Sequence, residues 1–199
     1  MKPFSQACEN NKQPILEALT PIFKESSTIL EIGSGTGQHA VFMAANLPHL
    51  IWQTSDREDN IPGIRAWLED APSPNCKMPL VLDVSEDLWP ISYFDGVFSA
   101  NTSHIMDWQT VHDMFTGIGK RLKASGVFVL YGPFNYQGQF TSLSNQQFDT
   151  HLKLRDPQMG IRDFEDIENL AKSVQLFLID DIAMPANNRL LVFKKDSAV

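Results

Sequence analysis

Cysteine is scarce in this chain: Cys8 and Cys76 are the only two. Neither has a second cysteine or a histidine at metal-ligand spacing, so no metal site is expected, and two isolated thiols fit a reducing cytoplasm better than a disulfide framework. Long apolar runs are missing, so no membrane span and no membrane partner are expected. The opening MKPFSQACENNK has no apolar h-region, and a secretory leader is not expected. Repeats and low-complexity segments are absent. Positive charge is also short: 16 Lys and Arg stand against 24 Asp and Glu, with a net charge of -8 and a pI of about 5.0. A nucleic-acid surface is usually basic, so nucleic acid is not an expected partner. No Gly-x-Ser-x-Gly elbow and no Walker lysine occur, which removes the key residues of hydrolases and nucleotide triphosphatases.

What is present is an ordinary soluble composition over 199 residues, 43% hydrophobic and 20% charged. That length suits a single domain, 1–199. Asn11 reads as the cap of a first helix, with Pro14 in its first turn and Pro21 bending or ending it. Apolar strands then alternate with amphipathic helices. Strands are read at Thr28–Ile32, Leu50–Ser55, Pro79–Val84, Phe94–Ala100 and Gly126–Tyr131. Helices are read at His39–Asn46, at Ile61–Glu69, and from Trp108 toward Leu122. Continuous apolar strands between such helices mean a parallel sheet covered on both faces, a doubly wound α/β fold. After Tyr131 the rhythm breaks. GPFNYQGQFTSL reads as a polar loop, Ser144 to Gln147 as a capping box opening a short helix, and Asp163 as the cap of a helix from Phe164. The ending QLFLIDDIAMPANNRLLVFKK reads as an antiparallel hairpin, with Asn187 and Asn188 in its turn. The segment from about 135 to 162 is taken as an insertion over the sheet edge.

In such a fold, ligands sit beyond the carboxyl ends of the strands. The glycines of ILEIGSGTGQH lie at the first of these ends, where bare backbone lets a ligand approach closely. Asp56 and Asp83 follow the next two strands, where carboxylates can accept hydrogen bonds from a ribose or flank an adenine. The dinucleotide fingerprint requires a small residue where Gln38 stands, which argues against a nicotinamide oxidoreductase. The pattern present is Glu31-x-Gly33-x-Gly35-x-Gly37. It resembles the first motif of class I S-adenosylmethionine-dependent methyltransferases. That resemblance covers nearly the whole chain and implies a mostly parallel seven-stranded sheet with the last strand inserted antiparallel.

It also implies S-adenosyl-L-methionine as cofactor, with Glu31, Gly33, Ser34, Gly35 and Gly37 around the turn. Asp56 would hold the ribose, Asp83 and Val84 would flank the adenine, and Asn101 would sit beside the methionine moiety. ENNKQPIL, NTSHIMDW, LYGPFNYQGQFTSLSNQQFD, LRDPQMGIRDFE and MPANNRLLVF further resemble a poorly characterised methyltransferase-like family first catalogued as a domain of unknown function. That family's Arg-Asn-x-x-Pro-Ile pattern has its asparagine at Asn11, but Asn10 replaces the arginine.

Methyl transfer from a sulfonium needs orientation, a dry pocket and sometimes a base. His104 follows the fourth strand and can take a proton; its bland alternative is a histidine that only bonds its loop. Tyr131, Asn135 and Tyr136 flank the end of the fifth strand and can line an acceptor pocket, or simply pack. Arg155 and Arg162 can clamp an acid bidentately, or lock the insertion through internal ion pairs. The expected function is methyl transfer to a small-molecule substrate, with a non-catalytic cofactor-binding partner protein as the alternative. The acceptor atom and the oligomeric state are not legible.

Overall fold

The computed structural model describes residues 2–86 and 89–197. Helix α1 (Gln6–Ile22) precedes β1 (Thr28–Ile32), α2 (Gln38–Asn46), β2 (Ile51–Asp56), α3 (Ile61–Asp70), β3 (Cys76–Val81) and β4 (Phe94–Ala100). Then come α4 (Trp108–Arg121), β5 (Leu122–Gly132), β6 (Phe134–Asn135), α5 (Leu143–Arg155), β7 (Arg162–Asp163) and α6 (Phe164–Ser173). The hairpin β8 (Leu176–Met184) and β9 (Asn188–Lys195) closes the order. One seven-stranded sheet runs β3-β2-β1-β4-β5-β9-β8, and β6 and β7 form a separate two-stranded pair. β1 to β5 are parallel, while β9 enters antiparallel beside β5.

Strand alternation divides the core. Phe128 and Leu130 of β5 face α4 and α6, whereas Val129 and Tyr131 face α1 and α2. The first layer centres on Phe115, Phe128 and Phe193, whose rings lie 5.3–6.2 Å apart. The second packs Ile15 and Leu19 of α1 and Met43 of α2 against Ile29, Trp52 and Phe98. A sheet buried on both faces explains why β1 and β4 are apolar almost throughout.

Several sequence boundaries move. α1 starts at Gln6 and is capped by Ser5, whose hydroxyl accepts from Cys8 N. Asn11 is therefore inside the helix, not at its cap, and Pro14 lies mid-helix. β3 begins at Cys76 and ends at Val81, so Asp83 and Val84 lie in the loop beyond it. Ser142, not Ser144, caps α5 by accepting from Asn145 N at 3.1 Å. Asp163 precedes α6 but makes no capping bond, and its Oδ1 is buried without a partner among the described residues. The loop read after Tyr131 contains β6, which pairs in parallel with β7.

This topology builds one functional edge. The carboxyl ends of β1 to β5 lie together, and the pairing of Gly132 with Arg189 brings the 185–187 turn to the same edge.

Candidate active site

A cavity of about 1010 Å³ runs along that edge, from Asp83 beyond β3 to Asn188 at the start of β9. Small-molecule pockets typically span roughly 300–1,000 Å³, so this one lies at the upper end of that range. Its lining includes Gly33, Ser34, Gly35, Asp56, Asp83, Val84, Asn101, His104, Tyr131 and Asn11 from the sequence-derived set.

The glycine turn forms one end. Gly33 (φ +71°), Gly35 (φ +57°) and Gly37 (φ +92°) are all left-handed, a conformation that side-chain-bearing residues rarely adopt. A Cβ on Gly33 would lie 2.5 Å from the Thr102 methyl, whereas one on Gly35 would meet no protein atom within 4 Å. Gly35 thus presents bare backbone to open space. Asp56 secures the turn: its Oδ2 accepts from Gly35 N at 2.7 Å, and its Oδ1 accepts from Arg57 N and Asn60 Nδ2. Asp83 accepts from Ser85 N and Oγ, which holds its carboxyl below the usual range. Asn101 sits at φ +59° and donates its N–H to Tyr131 O at 2.9 Å. Such a strained backbone is tolerated where the surroundings over-determine it, often at a functional site.

Glu31 lies beneath the turn, outside the cavity lining. Its Oε2 accepts from Ser34 Oγ at 2.8 Å and Trp52 Nε1 at 3.1 Å. Burial, with Asp56 nearby, pushes its carboxyl up to about 7 despite those two bonds.

Helix α1 roofs this end, and Gln38 fastens it. The Gln38 Oε1 accepts from Ser5 N at 2.6 Å, and its Nε2 donates to Glu9 Oε1 at 2.8 Å and to Ser5 O. Ser5, Cys8, Asn10 and Asn11 consequently line the cavity. Trp67 Nε1 donates to Pro3 O, extending the attachment onto α3. His39, beside Gln38, is buried and held down to about 4 by desolvation. Its Nε2 lies 2.7 Å from Asn11 Oδ1, which can only accept, so that nitrogen carries the proton. The Tyr131 hydroxyl lies within reach of Asn11 and Asn188, and burial raises its pKa.

The other end lies over β4, β5 and the insertion. His104 is 4% exposed, its Nδ1 is buried without a partner among the described residues, and its ring packs edge-on to Phe148 at 5.2 Å. Burial and the Arg162 charge push its imidazole down to about 4. Its loop is pinned by the insertion. Arg162 Nε donates to Ser103 O at 3.0 Å, and its Nη2 donates to Met106 O and Gln158 O. Gly160 N donates to His104 O at 3.0 Å, and Asp149 Oδ1 accepts from Ile161 N at 2.8 Å. Among the described residues Arg162 thus braces the loop through carbonyls rather than an ion pair.

The remaining sequence-derived residues lie outside the cavity lining. Arg155 is exposed at the end of α5. Tyr136 stacks on Phe164 and donates to Asp181 Oδ2 at 2.7 Å. Asn135 is buried, with Nδ2 at 3.5 Å from Ile161 O and Oδ1 unpartnered among the described residues. Sequence reasoning missed Gln38, His39, Asn145, Phe148 and Met159. Only the break in the glycine pattern at Gln38 offered a signal.

A mostly parallel seven-stranded sheet with its antiparallel C-terminal hairpin is the fold of Rossmann-like methyltransferases, and solved structures match it. An O-methyltransferase family protein from Burkholderia thailandensis aligns with TM-score 0.84 and 13% identity over 94% of this chain and 57% of that one. A Planctomyces limnophilus O-methyltransferase family 2 protein in complex with apigenin gives TM-score 0.80 and 16% identity over 94% and 56%. PigF, solved with SAH, gives 0.77 and 14% over 87% and 52%. The chain spans little more than half the length of these structures. It belongs to the family described as "Protein of unknown function (DUF938)", whose model matches residues 2–195. No helix among the described residues is long and apolar enough to cross a membrane.

Proposed function

We propose that this protein is an S-adenosyl-L-methionine-dependent methyltransferase acting on a small molecule in the cytoplasm. The observation that carries this reading is that one cavity is lined both by an open glycine turn and by His104, a buried imidazole whose Nδ1 has no partner among the described residues. The residues fit the cofactor. Gly35 leaves room against its backbone, Asp56 Oδ2 accepts one bond and keeps a lone pair for a ribose hydroxyl, and Asp83 and Val84 would flank the adenine. Gly33, Ser34 and Asn101 border the methionine end, with Gly37 turning the chain into α2. Glu31 offsets positive charge from below. When bound, the cofactor supplies an electrophilic methyl carbon whose bonding pair leaves on sulfur.

The chain's own residues orient the acceptor, exclude water and move a proton. His104 is neutral at physiological pH and is the base in this reading, with Tyr131, anchored near Asn11 and Asn188, bordering the transfer path. The open chamber beyond Tyr131 supports catalysis over a purely non-catalytic binding role, which would need no space there.

A thermal-shift comparison of S-adenosylmethionine, S-adenosylhomocysteine, NAD and NADP tests the cofactor half, because a ligand stabilises the folded state by mass action. The adenosyl-sulfur pair should raise the melting temperature and the dinucleotides should not. The reverse ranking would overturn the reading. Incubation with methyl-labelled cofactor and metabolite extract should then yield a labelled small product.

A further inference from the structure

Asn145 stands in the first turn of α5 and lines the cavity, yet it is only 5% exposed. Its backbone N–H is committed to the Ser142 hydroxyl at 3.1 Å. Its Nδ2 donates to Thr141 Oγ1 at 2.9 Å and to Asn187 O at 3.2 Å. A backbone carbonyl only accepts, so the atom facing Asn187 is the nitrogen and the amide has one orientation. Both side-chain N–H groups are then spent. Oδ1 is what remains: it accepts from nothing among the described residues and is not enclosed, so it is the end of the amide that meets the cavity. A sheltered carbonyl oxygen, unpartnered and held still, is built to receive a hydrogen-bond donor.

The surroundings narrow the donor. Phe148 lies at the i+3 position of the same helix, shares a face with Asn145 and also lines the cavity. A flat apolar ring resting on Phe148 therefore brings its edge to Asn145. Asp156, the carboxylate at the other end of α5, is roughly 16 Å away along the helix. An ammonium beside Asn145 would thus be desolvated for one neutral oxygen, and a carboxylate there would face another oxygen. With both N–H groups spent, the amide has nothing to offer the lone pairs of a hydroxyl, whereas an N–H asks only for an acceptor.

We propose, resting on the methyltransferase reading and deepening it, that Asn145 is a specificity-determining residue of that site: its Oδ1 accepts from an uncharged N–H, of amide or indole type, on a flat ring that lies against Phe148. The lone pair of such a nitrogen is delocalised into its carbonyl or ring. The N–H is therefore a handle that orients the molecule and is not the atom that receives the methyl group. A ligand of the same shape without the N–H leaves Oδ1 desolvated and unpaired, which is how a polar site rejects an analogue.

The experiment uses the full chain, ¹⁵N-labelled and saturated with S-adenosylhomocysteine. Indole and quinolin-2-one carry the N–H; benzothiophene and 1-methylquinolin-2-one are their counterparts without it. Affinity is read by calorimetry, and the Asn145 side-chain amide is followed by NMR, assigned by its loss in Asn145→Ala. Indole and quinolin-2-one should bind at least about tenfold more tightly than their counterparts and shift the Asn145 signals saturably. Benzylamine, an ammonium of similar width, should bind no more tightly than benzothiophene. In Asn145→Ala the preference for indole over benzothiophene should fall to within about threefold. Equal binding of indole and benzothiophene by the wild-type protein would overturn the proposal, whether or not the variant folds. So would benzylamine binding as tightly as indole, N–H probes that leave the Asn145 signals in place, or no probe binding to protein that holds S-adenosylhomocysteine. Failure of S-adenosylhomocysteine itself to bind would instead overturn the underlying cofactor reading.

Discussion

Replacing Glu31 with Gln should make the protein more stable above neutral pH and bind the cofactor less well. In the folded chain the Glu31 carboxyl keeps its proton up to about pH 7, against 4.5 as its ordinary value. The unfolded chain loses that proton much earlier. Folding is therefore favoured by protonation of Glu31. That contribution is full below about pH 4.5 and is lost as pH rises through 7. The difference corresponds to roughly 3 kcal/mol. Glutamine keeps an oxygen to accept from Ser34 and Trp52 but has nothing to ionise. The two proteins should thus be close in stability near pH 4.5 and differ by about 3 kcal/mol in favour of Glu31→Gln at pH 8. Buried His39 and His104 act in the opposite direction. Their values near 4 lie below the ordinary 6.5, so stability falls as pH drops through 6.5. Wild-type curves alone mix these opposing trends, whereas the difference between the two proteins isolates Glu31. Urea unfolding at pH 5, 6, 7 and 8 measures it. A difference that does not grow with pH would refute the assignment. The same ionisation predicts that S-adenosylmethionine, a cation at sulfur, binds wild type more tightly at pH 8 than at pH 6. The variant should lose that rise.

Gly35→Ala should cost stability only through its left-handed backbone, about 1–2 kcal/mol, yet reduce adenosylmethionine affinity at least tenfold in calorimetry; unchanged affinity would place the ligand elsewhere. Gly33→Ala should be worse for folding, because its Cβ would also strike the Thr102 methyl at 2.5 Å. Arg162→Met removes the bonds to the Ser103, Met106 and Gln158 carbonyls and should destabilise by about 2–4 kcal/mol. Amide exchange across residues 103–107 should accelerate with it, and unchanged protection there would show that the brace does not hold the loop.

The central sheet was legible because burial on both faces leaves an unmistakable apolar run. β1 and β4 carry their expected bounds, since Ile29 and Leu30, like Val97 and Phe98, are fully buried. β3 was placed three residues late because it is an edge strand. Met78 and Val81 are more than half exposed, so its residues do not separate from the loop that follows. The first helix was started at Asn11 because Pro14 looked like a first-turn proline. Ser5 caps the helix instead, and its partner, Gln38, lies too far along the chain for any local pattern to reveal. The segment after Tyr131 was legible as a break in the strand–helix rhythm but not as a brace. Its bonds run from Arg162 and Gly160 to carbonyls near His104, and a backbone carbonyl leaves no trace in sequence.

Gln38 shows how a failed pattern can carry positive content. In a dinucleotide site the residue at that position must be small, because helix and strand close upon it. Here a long amide occupies it, almost wholly buried, and every polar atom it has is engaged toward residues 5–9 or Thr36. The side chain that spoils one cofactor motif therefore attaches α1 across the glycine turn. That attachment brings Asn11 to His39 and sets Ser5, Cys8 and Asn10 over the ligand space. The departure from the motif and the roof over the site thus have a single physical cause. The cavity is bounded at its glycine-turn end by the segment preceding the first strand and at its His104 end by the segment following the fifth, and neither boundary belongs to the sheet that bears the site.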